Sequence, residues 1–190
     1  MGLFGWLTKA PAGGDGKAAR AWREAWTKAV AALDAAAVAP LEASLRATPP
    51  FADDLEIEEE MLEALKQLLE LERGLTASCL PEVETSHRVV GSDRCHFSAP
   101  VSMPDDPAQP TGRLLLTSTR AVFAGGARTP ALPWHATREV FQSGRDLLLV
   151  FRNGQAGDSH RFRCNSFTDA LSGAAIARHL MMRSRHSGRL

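Results

Sequence analysis

The strongest constraint on this chain is a change of apolar period at Leu80-Pro81. Beyond that point helical spacing disappears, and short β-type runs alternate with turn formers. The runs span 84–90, 94–103, 112–117, 120–124, 131–134, 137–142, 147–151 and 160–164. Between them stand Gly91-Ser92-Asp93, Pro104-Asp105-Asp106-Pro107, Gly125-Gly126, Gly144 and Asn153-Gly154. About seven or eight strands so closely spaced predict a small antiparallel barrel or sandwich. Helical spacing returns with Phe167, Leu171, Ala174, Ala175, Ile176 and Leu180, and Ser166 with Asp169 three residues later forms a capping arrangement ahead of this closing helix. The basic tail 181–190 is expected to fray.

Ahead of Pro81 the reading is helical. Trp22, Trp26, Ala29, Val30, Leu33 and Ala37 recur at three- and four-residue steps, while Arg20, Arg23, Glu24 and Lys28 take the other side. A helix over 17–46 follows, with Pro40 expected to end or kink it near residue 39. Thr48-Pro49-Pro50-Phe51 breaks the pattern. A second helix is predicted over 53–73, with Met61, Leu62, Leu65, Leu68 and Leu69 on one face, acidic first turns, and Gly74 at its close. The two tryptophans are core residues on this reading. Leu3, Phe4, Trp6 and Leu7 form an apolar tip within a flexible segment 1–16; they suit a membrane or partner anchor, but the ordinary behaviour of chain ends favours a plain terminus. The expected fold is therefore α+β, an α-helical hairpin region over 1–79 followed by a β domain with a closing helix over 80–190.

Within the β region the stretch 112–126 reads as a hairpin. Leu114 and Leu116 share one face and Leu115 takes the other, Thr117-Ser118-Thr119-Arg120 turns the chain, and Ala121-Val122-Phe123-Ala124 returns beside it. Gly112, Leu114, Leu116-Thr117, Arg120 and Val122-Phe123 resemble the signature of the pleckstrin-homology-like superfamily, in particular its GRAM and bacterial PH-type branches. Leu132-Pro133-Trp134, the strand 146–151, His160-Arg161-Phe162-Arg163-Cys164 and a final helix continue the likeness, which covers roughly residues 94–182. The resemblance implies a bent antiparallel barrel of about seven strands capped by the closing helix, and a role in binding lipids or proteins without catalysis. The dense Lys/Arg loop of phosphoinositide-binding members is absent, and the front helices resemble no family.

Charge is zero overall but uneven: residues 1–79 carry 8 Lys/Arg against 13 Asp/Glu, and residues 80–190 carry 14 against 9 together with all six histidines. That asymmetry suggests two modules, whose opposite charges raise the idea that the acidic helix masks the basic domain. No basic run is interleaved with aromatic residues, so no nucleic acid is expected. The turn arginines Arg113, Arg120, Arg128, Arg138 and Arg145 are the ligand-binding candidates. Cys79, Cys95 and Cys164 lack paired spacing, which suits reduced cytoplasmic thiols and argues against a structural zinc; no metal site and no cofactor are expected. No basic residue precedes the apolar tip, which disfavours a signal peptide, and the myristoylation pattern fails at Trp6.

Three functions compete. The first is a noncatalytic, cytoplasmic binding or scaffolding protein that uses its PH-like domain for protein contact, with a homodimer through the front helices as one arrangement. The second is peripheral binding to anionic lipid at the inner face of the membrane through the arginine-bearing loops. The third, a small hydrolase or thiol enzyme built on Cys95-His96 or on Cys164 with His160, is disfavoured because adjacent strand residues point apart and no catalytic motif accompanies them. No enzymatic activity is expected.

Overall fold

A computed structural model describes residues 15–47, 55–125, 131–151 and 159–187. The apolar tip 3–7, the corner 48–54, Arg128 and Asn153-Gly154 lie outside the described residues. The chain divides into two compact units, 1–66 and 67–190, with the boundary inside a helix.

The first unit holds α1 (Asp15–Ala32), α2 (Val38–Ala47) and the start of α3 (Glu56–Thr76). Trp22 and Trp26 are buried as expected, and each indole N–H finds a main-chain acceptor: Trp22 Nε1 donates to Leu41 O at 3.0 Å and Trp26 Nε1 to Met61 O at 2.6 Å. Glu58 is only 3% exposed and is matched by Arg23, whose Nε donates to its Oε1 at 2.7 Å. The first helix does not run to Pro40. It ends at Leu33, which takes φ of 51°, and Asp34 then caps a short 3-10 turn by accepting from Ala36 N at 2.9 Å. Pro40 falls in the first turn of α2, where a missing N–H costs nothing.

The helix α3 also outlasts its expected end, passing Gly74 to finish at Thr76. Ser78, at φ 62°, takes the left-handed position, with Cys79 N bonded to Gly74 O and Ser78 N to Leu75 O, so a serine closes the helix in the pattern usually given to glycine.

Among the described residues the second unit has seven strands: β1 (Cys95–Ser102), β2 (Thr111–Thr117), β3 (Arg120–Ala124), β4 (Ala131–Pro133), β5 (Thr137–Ser143), β6 (Asp146–Phe151) and β7 (Ser159–Cys164). They form one antiparallel sheet in the order β4-β3-β2-β1-β7-β6-β5. The expected barrel is not closed: among the described residues β4 and β5 are edges with no ladder between them. The sheet is nevertheless rolled. Only Trp134–Ala136 separate β4 from β5, so their joined ends lie within about 14 Å, whereas six interstrand steps laid flat would span about 29 Å. Trp134 Nε1 donates to Thr117 O at 2.8 Å and its main-chain N–H to Thr119 O at 3.1 Å, which fixes this corner.

Inside the roll lies one core. Phe97, Ala99, Val101, Leu114, Leu116, Phe123, Trp134, Leu147, Leu149 and Phe162 meet α4 (Phe167–Ser187) through Ala170, Ala174, Ile176, Ala177 and Leu180. Small residues on the helix let it come close, and Gly173 sits against the Phe97 ring. Ser166 Oγ accepts from Asp169 N at 3.0 Å, the predicted cap. The tail does not fray from residue 181, since the helix continues to Ser187, with Met181 in the core and Arg185 bonded to β5.

The run 84–90 is not a strand. It is a strap that ends in a 3-10 turn at Arg88–Val90 and crosses the outer face of β1–β3. Val83, Val89 and Val90 pack there on Cys95, Leu115 and Val122. Its alternation of apolar and polar residues serves to cover a sheet, and the β1–β3 ladders are already complete without it.

Candidate functional site

The four described candidate arginines are each engaged locally and do not converge. Arg113 lies along the outer face of β2 and donates from Nε to Ser98 Oγ at 3.1 Å. Arg120 begins β3 and reaches the strap, donating to Val89 O at 3.3 Å. Arg138 is paired with its neighbour Glu139 at 3.2 Å. Arg145, in the two-residue β5–β6 turn after Gly144 (φ 60°), lays its guanidinium 5.0 Å above the centre of the Phe167 ring.

The catalytic pairs fare similarly. Cys95 faces the strap, bonds Phe97 O through its thiol at 3.2 Å, and has its ionisation pushed up by burial. The ladder shifts register between Cys95 and Phe97, and the bulge residue His96 turns elsewhere. Its Nδ1 donates to Pro81 O at 2.7 Å and its Nε2 meets Ser118 Oγ at 2.8 Å. Burial, aided by the charges of Asp169 and Asp146, pushes the Cys164 thiol up to about 12. His160 stacks on Phe162, 6.4 Å between ring centres, with Phe151 edge-on at 5.8 Å, and burial holds its protonation below the usual range.

Ser118 and His96 are the serine–imidazole contact that lies hidden in the sequence, 22 residues apart and made possible by the bulge. Their geometry resembles a nucleophile with its base, but an acyl transfer also needs donors aimed at a developing oxyanion. The two main-chain N–H groups beside Ser118 are committed, Ser118 N to Arg94 O at 3.0 Å and Thr119 N to Asp93 Oδ2 at 3.2 Å. Asp93 also accepts the Thr117 and Thr119 hydroxyls at 2.5 and 2.6 Å and Arg94 N at 3.1 Å. Burial acts to raise the Asp93 carboxyl, and these bonds together outweigh it and hold it below the usual range. The constellation is a turn latch: it fastens the β2–β3 corner to the root of the strap.

The outer face differs between its two halves. Over β1–β3 it is covered by the strap; over β5–β7 the register aligns Phe141, Leu148 and Arg161 across three strands, with Glu139 and Val150 beside them. Phe141 is 49% exposed, and Leu148 and Val150 are half-buried. One border of this row is ionic. Arg161 pairs with Asp105 and lies 3.6 Å from Asp146, which also takes both bonds of Arg163 at 2.8 and 3.0 Å. The Arg163 hydrogen bond is the main cause of a lowered Asp146 carboxyl, burial opposing it and the charges of Arg163 and Arg161 assisting. Sequence reading missed this surface because its three rows come from separate strands; the single available signal was Phe141, an aromatic at an outward position of β5.

Among the described residues no group of three or more His, Cys, Asp or Glu is placed to hold a metal ion, and no helix is long and apolar enough to cross a membrane. No family model matches the chain, and no curated protein matches it. Among solved structures, the C-terminal domain of an unknown protein from Leishmania infantum is similar at 11% identity and a TM-score of 0.40, over 49% of this chain and 89% of that one. The FERM and C-terminal domain complex of Drosophila Merlin is similar at 13% identity and a TM-score of 0.41, over 73% of this chain and 46% of the Merlin chain.

Proposed function

We propose that the chain is a noncatalytic, cytoplasmic binding protein whose second unit is a pleckstrin-homology-like module that contacts another protein. A rolled antiparallel sheet of seven strands with α4 packed against its inner face supports the family reading, since the resemblance implies about seven bent strands capped by a closing helix. The observation that carries the binding role is the outer face of β5–β7. A half-exposed phenylalanine beside Leu148 and Val150, bordered by ordered arginines, has the composition of an interaction hot spot: an aromatic anchor with a polar rim. The arginine turns offer less to an anionic membrane, because Arg113, Arg120 and Arg138 already hold partners within the domain.

The test is quantitative capture of partners from the source cell with wild-type protein, Phe141→Ser and Met182→Ser. Met182 is 57% exposed on α4 and serves as a control for loss of any surface hydrophobe. A partner retained by the Met182 variant and lost by the Phe141 variant is the expected result. Equal recovery by all three proteins rules out this face, and salt-dependent sedimentation with phosphatidylserine vesicles in place of protein capture would favour the membrane.

A further inference from the structure

Residues 81–90 are held at both ends and lightly in the middle. Upstream, Leu80 packs against the inner core. Downstream, Asp93 is latched to Thr117 and Thr119. Just inside or beyond these anchors stand two residues with left-handed φ, Ser78 at 62° and Gly91 at 65°, the latter with nothing within 4 Å of where a Cβ would be. Between the anchors the strap touches the sheet through three hydrogen bonds, Pro81 O with His96 Nδ1, Val83 N with Cys95 O at 2.8 Å, and Val89 O with an Arg120 Nη2, and an exposed ion pair joins Glu82 to Arg94 at 3.9 Å just ahead of β1. Two of the three are made by side chains of the sheet to strap carbonyls, so releasing them breaks no ladder.

The apolar content is equally separable. The cluster under the strap consists of Val90, Cys95, Leu115 and Val122 with Val83, Val89 and Ala124 against it, on the opposite face of the sheet from the main core. The main core contains no residue of 81–90. Removing the strap therefore leaves the inner packing of β1–β7 and α4 intact, which is the condition for a local opening less costly than global unfolding.

We propose that residues 81–90 form a hinged strap that lifts from the outer face as one unit while the sheet stays folded, uncovering Cys95, Leu115 and Val122. The gate lies over the half of the outer face that the β5–β7 surface does not use, so the proposal is independent of what binds there. In the open state the apolar outer surface runs on across the β1–β3 half; in the closed state it stops at the strap.

The three cysteines report on this directly, since Cys79 is exposed, Cys95 lies under the strap and Cys164 is buried in the inner core. The experiment is native-state thiol labelling of the full chain, followed site by site by mass spectrometry, with each rate normalised to the same site in urea. Cys79 labels at once. Cys95 is expected to label at least about tenfold faster than Cys164, because a local opening costs less free energy than global unfolding. Arg120→Ala, which removes the Val89 anchor, and Val89→Ala, which trims the strap's own packing, are each expected to speed Cys95 several-fold and leave Cys164 unchanged. A Cys95 that labels no faster than Cys164, or variants that accelerate both sites equally, would mean that only global unfolding reaches Cys95, and the strap would then be a fixed part of the fold.

Discussion

Asp93→Ala should be among the most damaging surface-adjacent substitutions in the sheet unit. The carboxylate accepts four bonds: the Thr117 and Thr119 hydroxyls at 2.5 and 2.6 Å, Thr119 N at 3.2 Å and Arg94 N at 3.1 Å. A bond to a charged group contributes about 1.5–3 kcal/mol, but the four do not add. Thr117 Oγ1 has an alternative acceptor in Arg120 O at 2.9 Å, and Thr119 and Arg94 face water that can replace the lost oxygen. What cannot be replaced is the tie between the turn and the strap's root, so a net loss of about 2 kcal/mol is the appropriate expectation. For a unit of this size that is roughly 5–8 °C in Tm. The assay is urea unfolding together with amide exchange, in which the Ser118 and Thr119 amides lose protection out of proportion to those of β6. The carboxyl is held below its ordinary value when folded. Its contribution is therefore present above the unfolded carboxyl's pKa, near 4, and fades as pH falls through the lower folded value. The gap between wild type and variant should accordingly close toward pH 2, and Asp93→Asn, which keeps one acceptor oxygen, should fall between them. A variant within about 0.5 kcal/mol of wild type, or a gap indifferent to pH, would refute the latch.

Gly112→Ala should destabilise by about 1–3 kcal/mol in a thermal melt, because the added Cβ would stand 2.5 Å from Ala124 O and 2.7 Å from Gly125 Cα, both backbone atoms that cannot swing aside; a melt equal to wild type would show that β2 and β3 can part there freely. Asp146→Asn should be less stable than wild type at neutral pH and converge with it in acid. The Asp146 carboxyl is held low mainly by Arg163, so its contribution exists above the unfolded carboxyl's pKa and disappears as pH falls through the folded one. Denaturant midpoints at pH 7 and pH 3 decide this, and a difference that does not shrink at pH 3 counts against it.

Much of the fold could be read from pattern, and the exceptions have physical reasons. The hairpin was legible because Leu114 and Leu116 alternate with Leu115, and the structure sends the first two into the main core and the third under the strap. The strap was misread because Val89-Val90 among polar residues is what a strand needs and also what a cover needs; periodicity reports burial on one side and is silent about backbone pairing. Pro40 drew the helix break to itself, although a proline in a first turn disturbs nothing and the break came from Leu33 taking a left-handed φ, which no residue type there announced. The candidate site was less legible still. His96 and Ser118 meet only because a bulge at Cys95 frees the histidine, and Phe141, Leu148 and Arg161 become neighbours only through strand register.

The arginines show why composition pointed past the structure. Arginine supplies 18 of the 22 basic residues, and a positive rear half suggested an anionic ligand. In the fold Arg94, Arg138, Arg161 and Arg163 pair with carboxylates, and others serve main-chain carbonyls. Arg120 takes Val89 O, Arg178 takes Val140 O at 3.3 Å, and Arg185 takes both Thr137 O at 3.3 Å and Arg138 O at 2.5 Å. The last three acceptors belong to β5, an edge strand whose other side pairs with β6. A planar fork with five donors can bridge two successive acceptors, as Arg185 does, where a lysine would present a compact, strongly hydrated ammonium. Held in this way, the carbonyls on the open side of β5 are withdrawn from an incoming strand, one of the ways native sheets avoid edge-to-edge association. Strand addition at β5 would have to displace α4 side chains, whereas Phe141 on the outer face is already half-exposed. That difference in cost is the physical reason to look for a partner on the face of β5–β7 before its edge.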